Sequence, residues 1–74
     1  MVDKKAECAE LMKNFEYAHL PPHLQEVSKP FCEIAHKLEL AISANTEHAA
    51  GLRKLLEAKD CFVRACLLQI NEEK

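Results

Sequence analysis

Four cysteines and four histidines in 74 residues raise metal binding first. Cys32 and His36 are one helical turn apart and could share an ion. Cys61 and Cys66 are five residues apart, roughly 140° around a helix, and do not face one point. Folding a hairpin about Asn45 sets Cys32 opposite Lys59 and Cys66 opposite Gln25, so the two pairs are out of register. No metal site is expected. The cysteines are spread along the chain behind an N-terminus without an apolar export segment, and small, buried, reduced thiols are the expectation.

Catalytic chemistry has no local signature. Neither a Cys with a His for nucleophilic catalysis nor paired carboxylates for acid/base work has such a signature, and Glu residues alternate with Lys and Arg as on a solvated helical surface. A chain of this size also has little room to enclose a pocket, so no enzyme and no cofactor are expected. Anion binding is better represented. Arg53, Lys54, Lys59 and Arg64 fall on one segment, and Lys29 and Lys37 on another. These charges fit ordinary solvent-facing positions. They also fit a phosphate site, because Tyr17, the only tyrosine, lies with His19 in a proline-ended connector outside any helical stripe. A flat ring and a nearby cation are what a nucleotide base and its phosphate need.

Three helical segments would position these groups. Residues 3–14 form a short helix with Asp3 as N-cap and Cys8, Leu11, Met12 and Phe15 as its apolar stripe. Pro21 ends the following connector, and Pro22 suits the first turn of a second helix. One apolar phase runs from Leu24 through Ile42 and predicts a helix over 22–44, kinked near Pro30. Asn45 or Thr46 caps a third helix over 46–70, whose stripe includes Leu52, Leu55, Leu56, Phe62, Val63, Cys66 and Ile70. Lys59 is its one polar member. Residues 71–74 are expected to fray. The short polar turn makes the last two helices antiparallel neighbours.

The fold class is therefore all-α: a single domain with a short N-terminal helix followed by an antiparallel helical hairpin. Hydrophobic residues at 49% and charged residues at 30%, with one Gly, exclude disorder and an extended β-fold. A formal charge of −2 gives no global field to hold a long nucleic acid, and no apolar run spans a membrane. A core of this size supplies only about 3–5 kcal/mol, and Leu67 and Leu68 widen the apolar face of the last helix, so oligomerisation is expected.

Phe15-Glu16-Tyr17-Ala18-His19-Leu20-Pro21-Pro22, Gln25, Phe31-Cys32-Glu33-Ile34-Ala35 and, after a short tip, Gly51-Leu52-Arg53-Lys54-Leu55-Leu56-Glu57-Ala58-Lys59-Asp60 together resemble the hairpin domain of phage anti-CBASS and anti-Thoeris sponge proteins. The likeness covers residues 15–69. It implies sequestration, without cleavage, of the cyclic oligonucleotide messengers of bacterial immunity in the cytoplasm of an infected host. It further implies a homohexamer with pockets between subunits for cyclic dinucleotides such as cyclic GMP-AMP, and separate pockets for cyclic trinucleotides. The family's base-stacking tyrosine matches Tyr17. Its phosphate-pairing cation on the second helix falls where this chain has Ile34-Ala35-His36-Lys37, so Lys37, His36 or Lys29 would supply the charge. Arg53, Lys54 and Arg64 are the trinucleotide candidates, and His19 accompanies Tyr17. A helical adaptor that binds a host protein through Leu67 and Leu68 is the competing expectation.

Overall fold

Each helix begins at a chemical signal in the sequence. The computed structural model describes residues 3–72. These form α1 (Lys4–Lys13), α2 (Pro22–Ala41) and α3 (Thr46–Glu72), with no strand among the described residues. The Asp3 carboxylate accepts from the Lys5 amide at 3.0 Å and starts α1, while Glu7 lies in its first turn, where negative charge suits the helix dipole. Asn14 closes it: its amide donates to the Leu11 carbonyl and the following Phe15 amide to the Met12 carbonyl, both at 3.1 Å. Pro22 occupies the first turn of α2 behind Pro21, where a missing N–H costs nothing. Asn45 caps α3: its side-chain oxygen accepts from the His48 amide at 2.8 Å.

Helix α2 runs through Pro30 without a break. The amide that proline lacks would have met the Glu26 carbonyl. Both residues are exposed, so water is available to that carbonyl in place of the lost bond. The helix ends at Ala41 rather than at Ala44, because Ile42 is extended (φ −130°, ψ 134°). This leaves 42–45 as the connection. Helix α3 continues to Glu72, two residues beyond the expected end at Ile70, and no Gly or Pro interrupts that stretch. Of the expected frayed end, 73–74 lie outside the described residues.

Helix α3 packs against both α1 and α2. The core sits along its N-terminal half, where Ala49 and Leu52 meet Cys8 and Phe15 from α1 and its exit, and Cys32 and Ala35 from α2. Leu11, Met12, Phe31, Leu55 and Leu56 pack around this cluster. Phe15 is fully buried, a contribution of about 2–3 kcal/mol for the side chain. Two polar ties fasten α1 to α3: Arg53 pairs with Glu7, and the Lys59 ammonium donates to the Asn14 carbonyl at 2.7 Å. The molecule measures 49 × 18 × 17 Å. No helix of the described residues is long and apolar enough to cross a membrane.

Candidate functional site

The connector that carries Tyr17 is built from backbone turns and one bracing side chain. The Leu20 amide donates to the Tyr17 carbonyl at 3.0 Å. Gln25, reaching back from the first turns of α2, donates through Nε2 to the Leu20 carbonyl at 2.7 Å and to the Ala18 carbonyl at 3.3 Å. These bonds hold a segment that has no helical ladder of its own. Tyr17 itself is half-buried against the core, and it lines a cleft of about 360 Å³ with Glu16, Ala18, His19 and Cys32. His19 is exposed.

None of the expected lysines and arginines lines this cleft. Arg53 is engaged with Glu7, whose carboxyl is held below its ordinary range by hydrogen bonds from Lys4 and then Arg53. Arg64 donates to the Cys61 sulfur at 3.3 Å. His36 lines a separate groove with Lys5, Ala9, Met12, Glu39 and Ala44. Lys29 and Lys37 are exposed on α2, and among the described residues neither is in a salt bridge. Of the eight expected residues, Tyr17 and His19 line the connector's cleft, and Lys29 is one helical turn from its Cys32. A further groove along α1 is lined by Asp3, Glu7 and Glu10, a set of carboxylates that would repel a phosphate.

Lys54 borders the fourth groove, of about 550 Å³, between α2 and α3. Leu38 and Ile42 form one wall, Leu52, Leu55 and Ala58 the other, and Asn45, Glu47, His48 and Gly51 complete it. No α1 residue contributes. The periodicity of both helices contains this surface, but sequence spacing alone does not say which part of a wide apolar stripe stays uncovered. His48 is 7% exposed, and its Nδ1 faces the Ser43 carbonyl at 3.2 Å; a carbonyl only accepts, so Nδ1 carries the hydrogen. His48 escaped the sequence reading because it sits one turn inside a helix start and has no neighbouring motif.

Protein-family models, curated proteins and solved structures offer no match to this chain.

What the residues can do therefore rests on their own geometry. Cys8 and Cys32 are buried, and burial, reinforced by nearby glutamates, pushes both thiols up. Such thiols stay protonated at neutral pH and make poor nucleophiles or metal ligands. Among the described residues no three His, Cys, Asp or Glu side chains converge as a metal centre requires. The grooves and clefts present an aromatic ring, isolated cations and apolar walls.

Proposed function

We propose that this chain is a binding protein, not an enzyme, which sequesters cyclic oligonucleotides without cleaving them and so blocks CBASS-type immunity in the cytoplasm of an infected bacterial host. The observation that carries the reading is the Tyr17 connector. Its ring lines a cleft braced by Gln25, and none of Lys29, Lys37, Lys54 and Arg64 lines that cleft, although Lys29 is one helical turn from its Cys32. A cyclic dinucleotide needs a stacking surface and paired charge at once, and the cleft of one chain supplies the first without lining cations. Ligand pockets completed between subunits of a homo-oligomer, a hexamer by the family resemblance, meet that need.

The proposed assembly unit is an antiparallel α2–α3 hairpin. Phe31 lies beside Phe62, ring centroids 5.8 Å apart. Leu38, late in α2, and Ile42, just past its end, share a groove with Leu55 and Leu52, earlier along α3, which is the order an antiparallel pair gives.

Calorimetric titration with cyclic dinucleotides and trinucleotides tests the reading. Tyr17→Ala is expected to lose at least ~1 kcal/mol of dinucleotide binding, and Tyr17→Leu, which keeps apolar packing against the core, to lose a similar amount. Unchanged affinity in the leucine variant would make the ring structural. The adaptor reading keeps one observation in its favour, since Leu67 and Leu68 are 42% and 61% exposed. A monomer that captures a defined host protein and ignores cyclic nucleotides would favour it.

A further inference from the structure

The widest unexplained feature is the open face shared by α2 and α3. Ile34 and Leu38 on α2 and Leu55, Ala58 and Phe62 on α3 follow each other at helical spacing, and Ile42, extended just past the end of α2, carries the strip on. Ile34, Leu38, Ile42 and Phe62 remain 46%, 38%, 45% and 58% exposed. The strip is continuous with the 550 Å³ groove and has Lys54 and Glu47 as the only charged groups lining that groove. Apolar surface of this extent costs free energy in water unless something covers it.

We propose that a second copy of this chain covers it, through a two-fold contact in which α3 of one copy crosses α3 of the other midway between Gly51 and Ala58. Three observations specify the occupant. The first is area. The chain exposes 5390 Å², against the roughly 4600 Å² that the size scaling of folded monomers gives for 8.4 kDa. The excess, roughly 800 Å², reflects both the elongated 49 × 18 × 17 Å body and the open apolar face, and it leaves room for one partner's share of a standard protein interface.

The second is Gly51. It is exposed, its φ is not positive, and a Cβ built on it would meet nothing within 4 Å, so nothing inside the chain requires a glycine. In mid-helix that glycine is unfavourable, and its missing side chain benefits only a body outside the chain that approaches closely. The third is self-complementarity. A two-fold axis midway between Gly51 and Ala58 brings Leu55 beside its own counterpart at the crossing and sets Gly51 of one copy against Ala58 of the other about one turn away, so a single apolar strip supplies both sides, as an isologous contact demands. The inference names the face by which subunits of the proposed assembly meet, and it does not depend on which ligand that assembly binds.

Sedimentation of the full chain without ligand tests it, with helical circular dichroism to verify folding of every variant. At micromolar concentration the wild type is expected at no less than twice 8.4 kDa. Leu38→Glu combined with Ile42→Glu should at least halve the mass, since both sites are already part-exposed and tolerate the charge in one chain. Gly51→Leu should fold, because the position is open, yet weaken association about ten-fold or more by overfilling the contact. Leu40→Glu, at a site 90% exposed and off the strip, should leave the mass unchanged. A wild type that sediments at 8.4 kDa, or folded Gly51→Leu and Leu38→Glu/Ile42→Glu variants with wild-type mass, would overturn the proposal. Calorimetry on a dimer that binds no cyclic nucleotide would count against the ligand reading alone.

Discussion

Two sides of α3 contrast in how their apolar residues are satisfied. Toward α1, Ala49 and Leu52 are sealed against Cys8 and Phe15, and the seal is flanked by the Arg53–Glu7 pair and by the Lys59 bond to the end of α1. On the side shared with α2 alone, Leu55 and Ala58 line an open groove and Phe62 stands largely in solvent. Hydropathy alone does not distinguish them. What distinguishes them is that the first surface has an internal partner with matched polar ends, whereas the second has apolar walls and few polar groups. A helix can therefore carry a sealed core stripe and an open apolar stripe through residues only three or four positions apart.

The contrast can be broken most forcefully at the phenylalanines. Phe15→Ala removes a ring that is 0% exposed and is expected to cost about 3–5 kcal/mol, close to the whole stability of a chain this small, in a urea titration. Phe62→Ala, at 58% exposed, should cost less than about 1 kcal/mol in the dissociated chain. Equal costs would erase the distinction between the two sides. Next in size is Lys59→Met, which keeps the buried stem and deletes the charged donor to Asn14. A loss of about 1–2 kcal/mol is expected.

Gly51→Ala should act in the opposite direction. In dilute, dissociated protein it should raise stability by up to about 1 kcal/mol, because the added Cβ meets nothing and helix propensity improves. The smallest effect concerns pH. The Glu7 carboxyl is held below its ordinary value in the folded chain, so its contribution is complete above the unfolded value of 4.5 and is lost as pH falls through the folded value. Thermal melts from neutral to acid pH should show this acid-side loss reduced in Glu7→Gln, with no change on the alkaline side.

Much of the fold was legible from local chemistry. Asp3, Pro22 and Asn45 mark the three helix starts through caps and a fixed φ, signals that need no tertiary context. The end of α2 was misplaced because Ile42 carries the apolar phase onward while its backbone is already extended. Lys59 stood out as the single polar member of an apolar stripe, but its acceptor, the Asn14 carbonyl, is 45 residues away and depends on how α1 docks. The same limit governs the candidate site. Tyr17 could be singled out by its connector, whereas the engagement of Arg53 with Glu7, and with it the absence of Arg53 from the Tyr17 cleft, follows only from the packing of α1 on α3.

Sequestration without cleavage is tested most directly by what the protein carries. Purified from cells that synthesise cyclic oligonucleotides and then heat-denatured, it should release an intact cyclic dinucleotide or trinucleotide, identified by mass spectrometry. Release of only linear fragments, or of no nucleotide from a folded assembly, would contradict the account.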